Sequence, residues 1–392
     1  MSEPLPASSP DRVPELDGLR GVAILLVLAW HLANPQPGTW FGDAAVRALA
    51  LSWTGVDLFF VLSGFLLGGI LLDHAGSPGW LGIFYLRRAC RTLPLYAVLL
   101  ALFALGTWRA EPPYGPLACW LLGGDDALPL AAYATFTQNF WMVSTGTMGA
   151  PAAAPTWSLA VEEQFYLVLP ALFLRVPRRW LPGVLLALVG AAMGSRIELF
   201  QHHPASGFAA HHLLPSRMDA LMLGVLGAWA CRTPALDRLF ARRPAALSVP
   251  LGILTAGMAV LAFRSPAMGS YGMAWGGYTW TALFYLVLVL VARYHPSGFV
   301  ARAARAGWLG HLGRRSYALY LLHQAVAGGV FGLVYGHPPG PPEPGGPAVT
   351  LLALGVLGLV AEVSWRFLED PFLRLGRSRR WSPGPAGSPQ PG

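Results

Sequence analysis

Ten stretches of this chain are apolar over about 20 residues each, the length that an α-helix needs to cross the hydrocarbon core of a bilayer. They cover 16–34, 52–72, 92–109, 156–174, 181–199, 214–231, 245–263, 273–292, 316–335 and 348–368. Only 12% of the residues are charged, about half of the roughly 25% typical of soluble domains. Because backbone polar groups in lipid must bond within their own segment, the sequence predicts an all-α polytopic membrane protein with about ten transmembrane helices.

The arginines divide the connecting loops into two groups. One group, together with both terminal tails, holds nearly all of them, and the alternate loops hold only Arg47, Arg109 and Arg264. Arginine-rich loops normally lie on the cytoplasmic side, so both termini are predicted to be cytoplasmic. The segment 127–143 is also apolar but contains Gln138. If it spanned the membrane the asymmetry would vanish, so it is predicted to be an interfacial or re-entrant helix.

The sequence predicts one large domain between two short tails. The parts are a cytoplasmic N-terminal tail at 1–15, a transmembrane domain at 16–372 and a disordered cytoplasmic tail at 373–392. The outer loop at 110–155 is rich in Pro, Gly and Ala. A loop of this length is usually functional, and it is predicted to form a lid or the mouth of an acceptor site.

The net charge of +8 comes entirely from arginine, since the sequence contains no lysine. The arginines lie between apolar runs and form no basic domain, so no nucleic-acid partner is predicted. Anionic lipid or an anionic cosubstrate is the better explanation. The histidine pairs 202–203 and 211–212 fall in an outer loop with no acidic or Cys ligand beside them. They are predicted to lie in an exposed interfacial loop, and no metal site is predicted.

The first predicted span carries two ionisable side chains, Arg20 and His31. Eleven residues of helix place them on one face, about 16 Å apart along the axis. Asp17, three residues before Arg20, can hold the guanidinium in place. A charge at this depth costs roughly 2.5 kcal/mol or more, which makes such residues functional candidates. The alternative is a packed structural histidine with an arginine that reaches the membrane surface.

The fourth predicted span carries two adjacent carboxylates, Glu162 and Glu163, little more than a turn below its outer end. A carboxylate beside a histidine can fix its tautomer and stabilise its protonated form, so Glu162 is predicted to orient His31. Alternatively, the two carboxylates neutralise Arg217 and Arg196.

Further polar residues at the predicted outer ends of the spans suggest a binding site for an acceptor. The predicted acceptor-binding residues are Asp57, Trp157, Glu163, Arg217 and Asp219. Drawn from three spans, they are predicted to cluster in the outer leaflet around His31.

Arg87, Arg88 and Arg91 lie at the cytoplasmic end of the third predicted span. Taken alone they indicate topology, but together with Arg20 they could bind a phosphorylated cosubstrate. His323, placed by the predicted boundaries in the inner half of the ninth span, is either a structural or a functional histidine.

The ionisable residues lie within motifs that occur in a fixed order along the chain. The motif segments are 16–21 with His31, 55–65, 87–96, 157–166, 216–221, 316–324 and 369–372. In this order and membrane placement they resemble the acyltransferase-3 family of membrane O-acyltransferases.

This resemblance implies acyl transfer from a cytoplasmic acyl-CoA, usually acetyl-CoA, to a hydroxyl of a sugar or small molecule. It implies that Arg20 and His31 match the family's essential pair and that Arg88 and Arg91 match its third-span arginines. The hypothesis is that His31 acts as general base or transient acyl carrier, with Glu162 and Arg20 assisting. The predicted acyl-CoA-binding residues are Arg20, Arg87, Arg88, Arg91, Tyr320 and His323.

In this hypothesis acyl-CoA is a cosubstrate, no cofactor is permanently bound, and the protein lies in a bacterial inner membrane. Its partners are the lipid bilayer and a carbohydrate or glycosylated small-molecule acceptor. Cell-wall glycan, lipopolysaccharide, exopolysaccharide and macrolide acceptors all stay open, as do acyl chain length and oligomeric state.

Three other functions are open at this point, of which a purely structural membrane scaffold is the least favoured because it would have no use for so many buried charges. The other two use those charges. One is a proton-coupled transporter whose relay consists of Asp57, Glu162, Asp219 and His31. The other is a different class of membrane acyltransferase in which His323 is the base.

Overall fold

The described part of the chain is helical, as predicted. The computed structural model describes residues 13–33, 46–109, 115–203, 206–339, 345–379 and 381, and no strand occurs in these ranges. A long helix lies at each of the ten predicted positions. These helices are α1 (Pro14–Leu32), α2 (Gly55–His74), α3 (Trp80–Arg109), α4 (Thr156–Arg175), α5 (Leu181–His202), α6 (Leu214–Ala230), α7 (Ala245–Arg264), α8 (Tyr278–Tyr294), α9 (Gly307–Tyr335) and α10 (Gly346–Ser364). The predicted tail residues 1–12 and 382–392 lie outside the described ranges.

Shorter helices occupy the connections. The short α-helices are Pro116–Leu122, Leu130–Ala134, Gln138–Thr145, Ser206–His212, Pro234–Arg242, Phe299–Ala304 and Asp370–Ser378. The 3-10 turns are Ser52–Thr54, Gly124–Asp126 and Pro151–Ala153, and π-helical turns at Met273–Gly277 and Trp365–Glu369 extend α8 and α10. The final helix therefore continues to Ser378, six residues beyond the predicted end of the membrane domain at 372.

Seven helices of the described chain are long and apolar enough to cross a membrane. They are Val46–His74, Trp80–Trp108, Leu181–His202, Ala245–Arg264, Met273–Tyr294, Gly307–Tyr335 and Gly346–Ser378. The other three predicted spans, α1, α4 and α6, carry the ionisable residues described above, and α6 has only 17 residues. The multi-pass helical membrane architecture is thus confirmed, whereas the count of ten spans and the sides of the termini stay predictions.

Two helices are longer than their apolar segments suggested. α3 begins at Trp80, so Arg87, Arg88 and Arg91 lie inside the helix. α9 begins at Gly307, nine residues before the predicted boundary at 316. His323 is therefore about 24 Å from the start of its helix. Its predicted position in the inner half of the span stays a prediction. The early start of α9 is explained by its long arginine side chains, which allow a helix to continue towards the membrane surface.

The outer-loop segment 127–143 does not span. It forms the short helices Leu130–Ala134 and Gln138–Thr145, neither long enough to cross a bilayer. Two fully buried amides fix the second helix in place: Gln138 Nε2 donates to the carbonyl of Thr156 at 2.9 Å, and Asn139 Nδ2 donates to that of His212 at 3.2 Å. The helix Gln138–Thr145 therefore forms a wall of the bundle, and the prediction that the outer loop acts as a lid or the mouth of an acceptor site stays a prediction.

Glycines allow two helix pairs to approach closely, and these pairs carry most of the site described below. On α2, a Cβ added to Gly64 would lie 2.0 Å from the carbonyl oxygen of Leu221 on α6. On α1, a Cβ added to Gly21 would lie 2.3 Å from the carbonyl oxygen of Leu309 on α9. Small residues at such crossings are typical of membrane helix interfaces, where van der Waals contact rather than the hydrophobic effect holds helices together.

We expect Gly64→Ala to lower the thermal stability of the purified protein, because the new methyl group must push α2 away from α6. Overpacking of this kind costs about 1–3 kcal/mol. The matched control is Gly190→Ala on α5, where an added Cβ meets no atom within 4 Å. Unfolding in detergent, followed by tryptophan fluorescence, measures both variants, and equal midpoints would show that the α2–α6 crossing tolerates expansion.

Candidate active site

The two ionisable residues of α1 line two different cavities. Arg20 lines one that we name the arginine cavity, and His31 lines one that we name the aromatic pocket. Asp17 lies 3.5 Å from the Arg20 guanidinium, as the helical spacing predicted. Both α1 side chains thus face protein cavities.

The arginine cavity has a volume of about 100 Å³ and lies between α1, α2, α3, α4 and α9. Its polar lining residues are Arg20, Ser63, Arg88, Arg91, Thr92, Ser158, Glu162, Tyr166, Ser316, Tyr317 and Tyr320. Three arginines converge here on one carboxylate, so the cavity carries an excess of positive charge. Such a cavity attracts an anionic group.

Glu162 belongs to the arginine cavity and is held there by two hydroxyls. Tyr166 donates to Glu162 Oε2 at 2.6 Å, and Ser63 donates to Oε1 at 3.0 Å. His31 does not line this cavity. The prediction that Glu162 orients His31 is therefore corrected: its carboxylate faces the arginines.

Arg87 lies apart from its two neighbours. Its guanidinium donates to the carbonyl of Arg379 at 2.9 Å and lies 4.7 Å from the ring of Trp381. Successive helical residues are about 100° apart, so Arg88 and Arg87 point in different directions. Arg87 is therefore removed from the predicted acyl-CoA-binding set and assigned to anchoring the C-terminal segment.

The aromatic pocket has a volume of about 290 Å³ and lies between α1, α4, the helix Ser206–His212 and the end of the outer loop. Its lining residues are Val27, Trp30, His31, Trp53, Val56, Met148, Ala154, Pro155, Trp157, Phe208, His211, His212, Met268 and Tyr320. The pocket is therefore wide and dominated by rings.

His31 is an exposed side chain at the edge of the aromatic pocket with a defined tautomer. Its Nδ1 lies 2.9 Å from the carbonyl oxygen of Val27. Because a carbonyl only accepts, Nδ1 carries the proton and Nε2 keeps its lone pair in the neutral ring. The ring of His323 packs against it with centroids 4.7 Å apart. His31 thus presents a basic nitrogen without needing a carboxylate beside it.

His323 is the buried partner of this histidine pair. It is only 1% exposed, and its Nδ1 lies 2.6 Å from the carbonyl oxygen of Tyr320. It lines neither cavity. His323 therefore contacts His31 rather than the cavity proposed for acyl-CoA, and it is removed from the predicted acyl-CoA-binding residues.

Tyr320 stands where the two cavities meet. Together with Val56 it lines both of them. Its hydroxyl lies 2.6 Å from Ser158 Oγ and 3.1 Å from the carbonyl oxygen of Pro155. These contacts hold the Tyr320 side chain at the boundary between the arginine cavity and the aromatic pocket.

A second group of charges lies sealed between α2, α5, α6 and α8. Arg217 donates to Asp57 at 2.8 Å, and Arg196 pairs with Asp219 at 3.0 Å. Thr279 also donates to Asp219 at 2.6 Å. No side chain of the two ion pairs is more than 2% exposed. These charges pair with one another, so the alternative that Glu162 and Glu163 neutralise the two arginines was wrong.

Of the predicted acceptor-binding residues, only Trp157 reaches the aromatic pocket. Asp57, Glu163, Arg217 and Asp219 line neither cavity. The predicted polar cluster around His31 is therefore corrected, because helix rotation turns these carboxylates and Arg217 towards other helices.

His211 and His212 are site residues that sequence reasoning missed. They are 5% and 6% exposed and line the aromatic pocket, so their predicted placement in an exposed loop was wrong. The apolar run Phe208-Ala-Ala before them was the signal for a buried helix. His202, by contrast, is exposed as predicted. Within the described ranges, no group of three His, Cys, Asp or Glu side chains is placed to hold a metal ion.

The family of the chain follows from comparison with known proteins. Residues 13–364 match the family model described as an acyltransferase domain. The chain therefore belongs to the acyltransferase-3 family, and the resemblance seen in its motifs is confirmed. No solved structure matches the chain at a significant level.

Several curated relatives come from Staphylococcus aureus. Two proteins named O-acetyltransferase OatA, from strains NCTC 8325 and COL, are each 27% identical to this chain over 381 residues, which is 94% of this chain and 58% of theirs. A further protein of strain COL, SACOL0978, is 27% identical over 388 residues, which is 95% of this chain and 59% of its own length. The chain thus spans about three fifths of the length of the curated relatives it matches.

Proposed function

We propose that this protein is a membrane O-acyltransferase that moves an acetyl group from acetyl-CoA in the arginine cavity to a hydroxyl held in the aromatic pocket. The observation that carries the proposal is the placement of Arg20 and His31, which lie on one helix and line two cavities that meet at Tyr320. Family membership supports the reaction class, and the relatives named O-acetyltransferases support acetyl as the acyl group.

The donor site is proposed at the arginine cavity because coenzyme A carries phosphates. Arg20, Arg88 and Arg91 can bind them through charge-assisted hydrogen bonds. The cavity is too small for the whole cosubstrate, so the nucleotide extends beyond it, towards the arginine-rich loops predicted to face the cytoplasm. The pantetheine arm then runs along α1 and covers the roughly 16 Å between Arg20 and His31.

The chemical step is proposed at His31 Nε2, the nitrogen left basic by the Nδ1 contact with Val27. It takes the proton of the acceptor hydroxyl while the hydroxyl oxygen attacks the thioester carbonyl. The carbon–sulfur bond breaks, and the departing thiolate takes the proton from the imidazolium. The products are an ester and free coenzyme A. The His323 ring keeps the His31 ring turned towards the pocket.

The same geometry weighs against the two other functions. A proton relay would need Asp57, Glu162, Asp219 and His31 to communicate, yet the sealed ion pairs, the arginine cavity and the aromatic pocket separate them. A mechanism with His323 as the base would need an acceptor to reach a ring that is 1% exposed. An acyltransferase with His31 as the base needs neither.

We expect Arg88→Gln and Arg91→Gln each to raise the KM for acetyl-CoA by about tenfold or more, because each removes a charge-assisted hydrogen bond to phosphate. Release of coenzyme A by protein in lipid nanodiscs measures this. Arg87→Gln is the matched control on the same helical turn, since Arg87 lies outside the cavity. A KM increase in Arg87→Gln as large as in the other two would contradict the assignment of the donor site.

Labelled acetyl-CoA distinguishes direct transfer from a relay through His31. Direct attack leaves the protein unlabelled when no acceptor is present. A relay leaves an acetyl group on the protein that disappears in His31→Ala. Proteoliposomes that move a substrate without consuming acetyl-CoA would overturn the proposed function itself.

A further inference from the structure

Within the described chain, the aromatic pocket is lined without a single carboxylate, arginine or lysine. Three tryptophans, a tyrosine, a phenylalanine, three histidines and two methionines make up most of its surface. This contrasts with the arginine cavity on the other side of Tyr320, which has four charged lining residues. The two cavities therefore differ sharply in what they can bind.

One buried cation, Arg217, lies close to the pocket lining but is not part of it. Its guanidinium lies 4.1 Å over the ring of Tyr278 and is paired with Asp57. The Tyr278 hydroxyl lies 2.7 Å from His211 Nδ1 and donates to the carbonyl of Met268 at 2.8 Å. Arg217 therefore has a carboxylate partner and is 0% exposed, so it presents no charge at the pocket surface.

The histidines of the Ser206–His212 helix add polarity but no charge. Burial lowers the pKa of His212 to about 4 and also holds that of His211 well below its usual range. Both rings are neutral near pH 7. His212 Nδ1 lies 2.7 Å from the carbonyl oxygen of Phe208, so its Nε2 is a hydrogen-bond acceptor. The pocket thus offers a hydrogen-bond acceptor, His212 Nε2, to a hydroxyl group of a ligand. It offers apolar rings to the rest of the ligand.

We propose that the aromatic pocket selects an uncharged, amphiphilic acceptor, such as a neutral sugar attached to an apolar aglycone, and rejects acidic acceptors. Taking a charge out of water without a partner is costly, whereas the apolar face of a sugar and its aglycone gain by contact with aromatic rings. This inference rests on the proposed function only in treating the pocket as the acceptor site. Among the acceptors open to a chain with these motifs, it favours neutral glycosylated small molecules over acidic polysaccharides.

Two glycosides that differ in charge alone test the inference. Phenyl β-D-glucuronide carries a carboxylate, and phenyl β-D-glucuronamide is a neutral analogue of nearly the same size; neither has a hydroxyl at carbon 6. Binding to protein in nanodiscs is followed by tryptophan fluorescence, with Trp157→Phe as the check that the signal arises in the pocket. Acetyl transfer is followed separately by release of coenzyme A.

We expect the glucuronamide to bind at least about tenfold more tightly than the glucuronide and to be acetylated faster. Methyl β-D-glucuronamide, which lacks the phenyl aglycone, is expected to bind more weakly than the phenyl compound. Equal binding of acid and amide, tighter binding of the acid, or no binding of either phenyl glycoside would overturn the inference.

A cation introduced into the pocket wall gives the converse test. Met148→Lys is expected to shift the preference towards the glucuronide by about tenfold. Met148→Gln, of similar length but uncharged, is expected to keep the preference for the amide. No shift in Met148→Lys would show that the ligand binds elsewhere.

The binding and transfer measurements separate this inference from the proposed function. Tighter binding of the amide without acetyl transfer to any acceptor would overturn the proposed acetyltransferase function but not the selectivity of the pocket for uncharged ligands. Acetyl transfer that favours the acid would overturn this selectivity but not the acetyltransferase function.

Discussion

We expect His31→Ala to lower the rate of acetyl transfer by about 10²- to 10⁴-fold, the usual contribution of a general base. The variant should remain folded, because His31 is exposed and its Nδ1 bonds within its own helix. Turnover with acetyl-CoA and a saturating acceptor measures the effect, and thermal unfolding in detergent shows that the protein is intact.

Two other histidine variants serve as comparisons. His202→Ala removes an exposed histidine at the end of α5 and is expected to keep the wild-type rate. His323→Ala removes the ring that packs on His31 and is expected to slow transfer less than His31→Ala does. A folded His31→Ala protein with wild-type turnover would show that His31 is not the general base. A larger loss of turnover in His323→Ala than in His31→Ala would assign that role to His323.

We expect Arg217→Met to lower the free energy of unfolding by about 3–5 kcal/mol, because it leaves the buried Asp57 carboxylate without its partner. The double variant Asp57→Leu with Arg217→Met is expected to recover most of this loss, since it removes both charges. Thermal unfolding of the purified protein in detergent measures the difference.

A second ion pair, exposed rather than buried, serves as the matched control, since it also links the region of α6 to α2. Arg232, just after α6, pairs with Asp73 on α2, and these side chains are 36% and 48% exposed. Arg232→Met is expected to cost less than about 1 kcal/mol because this pair lies in water. If Arg217→Met left stability unchanged but weakened acceptor binding, the original prediction of a binding role for Arg217 would be restored.

The positions of the helices were predictable from the sequence because lipid imposes a simple requirement. Each span must be apolar over a fixed length, so all ten windows correspond to helices. The common stripe of Arg20 and His31 was predictable for a similar reason, since helical geometry alone relates two residues of one helix. The ends were less predictable: α9 begins nine residues early because its arginines tolerate a helical conformation near the membrane surface.

Contacts between different helices could not be predicted from one sequence. Glu162 faces Arg20 rather than His31, and Asp57 pairs with Arg217 behind the site. These contacts depend on the rotation and axial shift of each helix, which close glycine crossings such as that at Gly64 determine. Residue types alone therefore selected residues that line both cavities but grouped them wrongly.

The position of Tyr320 has a consequence for the order of events in the proposed reaction. The residue lines both cavities, and its hydroxyl is held by Ser158 and the carbonyl of Pro155. In the proposed arrangement the pantetheine arm has to pass this side chain before the thioester reaches His31. Entry of the donor would then have to break these hydrogen bonds, so that a filled arginine cavity and a displaced Tyr320 occur together.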